Sequence, residues 1–151
     1  MDVYVEGHPI ALGARASLRP VLGWRGVRYD TDQDRSAFAY GISAEYHPRE
    51  ALALRLGYFR RTGSGEGPFA FDALDIAREL GLGLAARLGP EWRAEMLVRY
   101  DVGDGEFPVL DLTLIRVAHC LEYGVTWHKV RSEFGIRVGL ARTGQVEAPG
   151  W

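Results

Sequence analysis

Alternation of apolar and polar residues with a period of two dominates the stretch 119–140, HCLEYGVTWHKVRSEFGIRVGL. Every second residue is apolar or aromatic over 121–127, and the alternation resumes over 134–140 after a short break at 129–132. Successive side chains of a strand point to opposite faces, so this pattern predicts the two strands of a β-hairpin. One face of the hairpin is apolar, and the other carries glycine, glutamate and arginine.

The polar face of this hairpin favours the interior of a narrow barrel over the outside of a soluble sandwich. A solvent-exposed face is usually rich in Thr, Lys, Glu and Ser, whereas this face repeats glycine at 124, 135 and 139. Small residues that alternate with charged ones suit a crowded, wet interior in which opposite charges pair. We therefore expect the apolar residues to face lipid.

Similar alternation recurs along most of the chain, as in the stretches 38–47, 52–59, 79–87 and 92–101. It predicts an all-β fold, an antiparallel meander of about eight or nine strands, most with roughly the ten residues that a tilted strand needs to cross a bilayer. We expect a membrane β-barrel, or part of a larger barrel, over residues 1–142. An unstructured tail is expected over 143–151.

Connections of two lengths separate the predicted strands. Short turns are predicted at 47–50 and 88–91, and longer polar loops at 30–35, 62–72 and 103–107. Short turns on one side and longer loops on the other are typical of outer-membrane barrels, although the short break at 129–132 falls on the long-loop side. Pro20 must lie at a strand edge or a bulge, because proline has no N–H for the ladder.

Residues 71–84 allow a second interpretation. The sequence ALDIAREL is rich in helix-forming residues, so a helix competes with a strand there. Gly81 and Gly83 oppose the helix and favour the strand.

Composition narrows the classes of function. A hydrophobic content of 47% and a net charge of −2 argue against disorder and against a basic surface for nucleic acid. Cys120 is the single cysteine, which excludes an internal disulfide and a cysteine-based metal site. The sequence has no apolar run of about eighteen residues and no secretory signal peptide, so an outer-membrane location would make this chain a fragment.

Charged residues on the small-residue face are candidates for the lining of a polar lumen. They are Glu45, Arg55, Glu79, Arg87, Arg93, Glu95, Arg99, Asp111, Glu122, Glu133 and Arg137. Such residues could line a path for a charged saccharide or a phosphate. Their mixed signs favour structural ion pairing instead, because a phosphate path should be mostly positive.

Aromatic residues on the apolar face stand towards the ends of several predicted strands. At those positions they would anchor at the two water–lipid interfaces of a membrane, with aliphatic residues between them. They are Trp24, Tyr40, Tyr46, Tyr58, Trp92, Tyr100, Tyr123 and Trp127.

Catalytic signatures are missing from the sequence. His128 lies near Ser132, and His119 adjoins Cys120, but no orienting acid or oxyanion donor accompanies either pair, and we interpret the second pair as the start of a strand. The glycine-rich stretch 63–67 lacks the Lys-Ser/Thr of a phosphate-binding P-loop. We therefore assign no catalytic residue, no metal ligand and no cofactor, and expect a protein that is not an enzyme.

Three stretches carry a resemblance to a known family: HCLEYGVTWHKVRSEFGIRVGL at 119–140, YHPREALALRLGYFRR at 46–61 and PFAFD at 68–72. They resemble the end of the barrel in the LptD (OstA) family of lipopolysaccharide-assembly proteins. The resemblance covers about 37–140 and implies a large outer-membrane barrel that follows a periplasmic jelly roll and delivers lipopolysaccharide to the outer leaflet through a lateral opening. The partners that it implies are membrane lipid, lipopolysaccharide, a plug lipoprotein and the rest of a larger barrel.

Two departures set this chain apart from that family. The jelly roll and most of the large barrel are missing, so a chain of this kind could not transport lipopolysaccharide alone. Family members often carry adjacent cysteines near the end of the barrel that bond to the periplasmic part, whereas Cys120 is solitary and follows His119.

Two other interpretations stay open at the level of sequence. The chain could form a small autonomous outer-membrane barrel that serves as a pore or an adhesin. It could also form a soluble calycin-like barrel whose apolar face lines a ligand pocket. Nine strands would leave two bare sheet edges, so the chain alone should be incomplete or self-associating.

Overall fold

A computed structural model of the chain describes residues 2–28, 34–65, 77–140 and 147–149. Every regular element among them is a β-strand, and all the pairings are antiparallel, which confirms the predicted all-β meander. The strands are β1 (Asp2–Glu6), β2 (Ile10–Ala11), β3 (Ala16–Arg28), β4 (Asp34–Arg49), β5 (Leu52–Gly65), β6 (Arg78–Arg87), β7 (Trp92–Asp101), β8 (Val109–Ala118), β9 (Leu121–His128) and β10 (Glu133–Leu140). This part of the chain contains no helix long and apolar enough to cross a bilayer.

The strands form one sheet in sequence order. Its continuous path is β1-β3-β4-β5-β6-β7-β8-β9-β10, and the short β2 pairs with β3 beside β1. Within the described strands β1 pairs with β3 alone and β10 with β9 alone. The sheet is therefore an open meander whose two edges are β1 and β10.

The structure differs from two local predictions and agrees with a third. The turn expected at 47–50 lies at 50–51, because β4 continues to Arg49 across a register shift after Tyr46. The helix considered for 71–84 is wrong for 78–84, which belong to β6, while 71–76 lie outside the described residues. Pro20 lies where β3 changes partner from β1 to β2, the irregularity that a proline requires.

A second correction concerns His119 and Cys120. They form the two-residue turn between β8 and β9 rather than the start of a strand. His119 has a φ of 58°, a left-handed conformation that suits a tight hairpin turn.

Two faces of different chemistry result from the register of the strands. The inner face is the side of the sheet that carries one row of paired residues across β4 to β10. This row is Glu45, Arg55, Gly83, Leu97, Asp111, His128 and Glu133. The outer face carries the adjacent row Tyr46, Leu54, Leu84, Met96, Leu112, Trp127 and Phe134. The split follows directly from the period-two alternation of the sequence.

The sheet curls towards its inner face. Arg137 on β10 reaches Glu95 on β7, with 3.4 Å between Nη2 and Oε2. Arg137 is level with Arg93, so in a flat sheet three strand steps and a two-residue offset would separate the Cα atoms of Arg137 and Glu95 by about 16 Å. Arg55 of β5 and Arg137 of β10, five strand steps apart, also line one cavity on this side. Both observations indicate a concave inner face, with the charged residues inside the curve.

Candidate functional site

The eleven charged residues predicted to face a lumen all belong to the inner face. Their register positions alternate with outer residues along β4 to β10, and most of them contact one another in separate ion-pair clusters. Arg87 stands at the end of β6 beside the turn that leads to β7. The inner face is the candidate functional site.

The most buried cluster is centred on Glu79 of β6. Its carboxylate is 1% exposed and accepts two hydrogen bonds from Arg99 of β7, one from Nε at 2.8 Å and one from Nη2 at 2.5 Å. Nη1 of Arg61 on β5 donates a third bond at 3.1 Å. Two parallel bonds from one guanidinium fix both partners, so this cluster ties β5, β6 and β7 together.

A second cluster is centred on Glu45 of β4. Its Oε2 accepts a 2.9 Å bond from Nη2 of Arg55, the residue directly opposite on β5. Its Oε1 lies 3.1 Å from Nε2 of His47. Both carboxylate oxygens are therefore engaged at the end of the sheet that holds the short turn after β4.

The third cluster runs across β7, β9 and β10. Arg93 donates from Nε to Glu95 at 2.9 Å and from Nη2 to Glu122 at 3.2 Å. Oε2 of Glu95 also accepts a 3.4 Å hydrogen bond from Nη2 of Arg137. Glu122 is 6% exposed, and Arg93 compensates its charge in this buried position.

The remaining inner charges lie near the opposite end of β9 and β10. Nδ1 of His128 is 2.8 Å from Oδ1 of Asp111, a close contact without the angles of a hydrogen bond. Arg131 contacts Glu133 at 3.2 Å, and both side chains are largely exposed. The contact between Arg131 and Glu133 therefore differs from the three clusters in being open to solvent.

Glycines on the inner face leave room for larger neighbours. A Cβ on Gly41 would lie 2.5 Å from Cδ1 of Phe59, which folds over it and is 8% exposed. A Cβ on Gly124 would lie 3.0 Å from Cγ of Arg137. The repeated glycines therefore make space for inward side chains inside the curve, as the sequence pattern predicts.

The segment 147–149 lies against the inner face. It has no helix or strand, yet Ala148 is only 3% exposed and clusters with the fully buried Ala53 and Ala85. A cavity of about 480 Å³ lies beside it. The charged residues among its lining are Arg55, Arg93, Glu95, Glu122, Arg137 and Glu147.

The eight aromatic residues proposed as interface anchors all lie on the outer face. At the end of the sheet that holds the longer connections stand Trp24, Tyr40, Tyr58, Tyr100 and Trp127, and at the opposite end stand Tyr46, Trp92 and Tyr123. On β7, Trp92 and Tyr100 are separated by about 26 Å of strand at 3.3 Å per residue. Aliphatic side chains fill the band between them.

Large apolar side chains of the outer face are exposed. Leu56 is 59% exposed in the middle of β5, and on the edge strand Phe134 and Ile136 reach 74% and 83%. Soluble monomers rarely leave a continuous apolar surface of this kind open to water. The outer face is therefore a candidate surface for contact with lipid or with another protein.

Sequence reasoning missed Arg61, His47 and His128 as partners of the inner charges. Arg61 could have been found, because it continues the alternation of Ala53, Arg55, Gly57 and Phe59 along β5. The sequence gives no signal for a partner of His47 or His128, which the folded strands bring to Glu45 and Asp111. A periodic pattern assigns a face but not a partner.

Sites for catalysis or metal binding have little support in the part of the chain that the structure describes. No group of three or more His, Cys, Asp or Glu side chains there could hold a metal ion. The hydroxyl of Ser132 donates to the carbonyl oxygen of Lys129 at 3.4 Å within its turn. Cys120 is exposed in its turn.

Comparison with known proteins identifies no relative of this chain. No protein-family model, no curated protein and no solved structure matches the chain.

Proposed function

We propose that the chain is a segment of an outer-membrane β-barrel, with lipid against its outer face and a wall of paired charges facing its lumen. The observation that carries the proposal is the separation of the two faces. The outer face exposes aliphatic residues between two groups of aromatic residues, while the inner face buries Glu79 at 1% exposure and Glu122 at 6%. This is the arrangement of a membrane barrel with a polar interior.

A soluble calycin-like barrel requires the reverse arrangement. Its apolar face would line the inside of the curve and its charges would face water. Here the contact from Arg137 to Glu95 places the charged face inside the curve, and Leu56 and Ile136 lie outside it. The membrane alternative is therefore the better supported of the two.

The strand count favours part of a larger barrel over a small autonomous one. The continuous path has nine strands, each antiparallel to the next, so β1 and β10 run in the same direction. Closing the sheet on itself would need a parallel pair, whereas an odd number of additional strands would close it with antiparallel pairs alone. We propose that such strands come from the rest of a larger barrel.

The proposed role is non-enzymatic transport or assembly of lipopolysaccharide, with a plug lipoprotein as a further partner. This assignment comes from the resemblance of 46–61, 68–72 and 119–140 to the LptD family. The inner charges are balanced in sign and engaged with each other, as in the clusters around Glu79 and Arg93. We therefore assign them to holding the barrel wall rather than to binding phosphate along a path.

Partition of the refolded chain between buffer and lipid vesicles tests the membrane assignment. Trp24, Trp92 and Trp127 lie on the outer face and serve as reporters once Trp151 is changed to Phe. We expect a blue-shifted emission in vesicles that headgroup-level lipid quenchers reduce. A soluble monomer with one spectrum in both conditions would overturn the assignment, and vesicles containing lipopolysaccharide should bind the chain more tightly than phospholipid alone if the transport role is right.

Amide hydrogen exchange in detergent tests the incomplete sheet. The outward amides of β10 should exchange fast, and those of β6 and β7, each paired on both sides, should exchange slowly. Self-association in detergent is also expected, because bare strand edges pair with one another. A stable monomer with slow exchange on both β1 and β10 would argue instead for a sheet that closes alone.

A further inference from the structure

The inner face carries a small-residue platform that is covered by the chain itself. Ala53 and Ala85 are 0% exposed. Ala148 packs against them and is itself 3% exposed. The carbonyl oxygen of Pro149 approaches so closely that a Cβ on Gly83 would lie only 2.6 Å from it. This contact requires a glycine at 83, so the inner face is shaped to receive a backbone.

We propose that this platform is a peptide-binding groove and that the segment 147–149 is a removable plug bound in it. The occupant is an extended backbone with small side chains, seated over Ala53, Gly83 and Ala85. Glu147 lines the adjoining cavity together with Arg55, Arg93, Arg137, Glu95 and Glu122. The selective element is therefore the platform itself, which accepts only a small side chain at the position of Ala148.

The plug controls access to the inner charges. Within the described segment only Ala148 is buried, while Glu147 is exposed and Pro149 is half-buried. A segment without helix or strand leaves its contact more readily than the sheet unfolds. When the plug leaves, the groove is open to a second extended peptide of the same chemistry. This inference uses the curved inner face alone and holds whether or not the outer face contacts lipid.

Thiol accessibility tests the plug. In a Cys120→Ser background, an Ala85→Cys variant places one thiol under Ala148, and its reaction rate with a negatively charged methanethiosulfonate reports access. We expect the rate to rise about tenfold or more when the chain ends at Leu140, because the covering segment is gone. Fast labelling of the full chain, or equal rates in both chains, would overturn the proposal.

A second variant keeps the tail but blocks its contact with Gly83. Gly83→Leu fills the space of the Pro149 carbonyl and should raise the rate at Ala85→Cys as truncation does. Ala86→Leu is the matched control, since it places the same side chain on the outer face of β6, away from the tail, and it should leave the rate unchanged. An unchanged rate in Gly83→Leu would contradict the plug even if the truncated chain failed to fold.

Binding in trans tests the groove. A fluorescent peptide of residues 143–151 should bind the chain that ends at Leu140, with a rise in anisotropy, and should bind the full chain more weakly because the groove is filled. The same peptide with Ala148→Arg is the control and should not bind, because a long side chain cannot sit on the platform of Ala53 and Ala85. Equal binding of both peptides would overturn the groove. The vesicle experiment judges the membrane assignment separately, so failure of one proposal is distinguishable from failure of the other.

Discussion

Arg137 on β10 and Glu95 on β7 meet through a 3.4 Å contact between Nη2 and Oε2, although β8 and β9 lie between their strands. The pair measures the curvature of the sheet, because a flat sheet would hold the two backbones too far apart. A lysine at 137 should still approach Glu95, and a zero-length carbodiimide would then join them as an amide.

We expect Arg137→Lys to give a cross-linked peptide that contains positions 95 and 137. Mass spectrometry should identify it readily, since Lys129 is the one natural lysine of the chain. Arg137→Lys combined with Glu95→Gln removes the carboxylate and is the control. Absence of the cross-link in the single variant would mean that the inner face is flatter than described.

Arg99→Ala should destabilise the fold strongly. The Glu79 carboxylate is 1% exposed and would lose its bidentate partner, leaving Arg61 alone to compensate it. Removal of one member of a buried ion pair costs about 3–5 kcal/mol of unfolding free energy. Urea unfolding in detergent micelles measures the change.

Arg131→Ala is the matched control for that loss. Arg131 also contacts a glutamate, Glu133, but the two side chains are 71% and 51% exposed. Exposed pairs contribute about 0–1 kcal/mol, so this variant should unfold almost as the parent does. Similar losses in both variants would mean that Glu79 is not buried, and a double variant Arg99→Leu with Glu79→Leu should recover part of the loss.

Gly41→Ala should destabilise the β4–β5 pair. The new methyl group would lie 2.5 Å from both Cδ1 of Phe59 and the carbonyl oxygen of Tyr58. Overpacking of this kind costs about 1–3 kcal/mol. Gly139→Ala meets nothing within 4 Å and should change the unfolding free energy by less than about 0.5 kcal/mol. A similar effect of both variants would contradict the packing of Phe59 over Gly41.

Leu56→Arg should weaken partition into vesicles. Leu56 is exposed on the outer face between the two groups of aromatic residues, at the depth of the membrane middle in our proposal. An arginine there should cost about 2–4 kcal/mol of transfer free energy, against about 0–1 near the interface. Thr62→Arg, on the same face of β5 beyond Tyr58, is the interface control. Equal partition of the two variants would argue that lipid does not contact this face.

Much of the fold follows from the sequence, because side chains along a strand alternate between the two faces with a period of two residues. Leu54 and Arg55 fall on opposite faces wherever β5 pairs, so the faces could be assigned without knowing a single neighbour. The position of the turn after β4 could not be assigned, because β4 continues three residues past Tyr46, to Arg49, across a register shift.

Partners within the site were harder to predict than faces. Glu79 binds Arg99, which is diagonal to it, while the residue directly opposite is Asp101. His128 reaches Asp111 only because β8 and β9 pair in one particular register. The contact of Ala148 with the inner face has no periodic signal at all, since it comes from a segment without regular structure.

The position of Ala148 near the end of the sequence bears on the order in which contacts form during folding. Its neighbours Ala53 and Ala85 belong to β5 and β6, so the contact closes a loop that contains every later strand of the sheet. Contacts between residues so distant in sequence form late, after the local hairpins have supplied the surface on which they depend. We therefore expect the inner face to assemble before Ala148 covers it. A nascent or partly opened chain would pass through a stage in which that groove is free for another peptide.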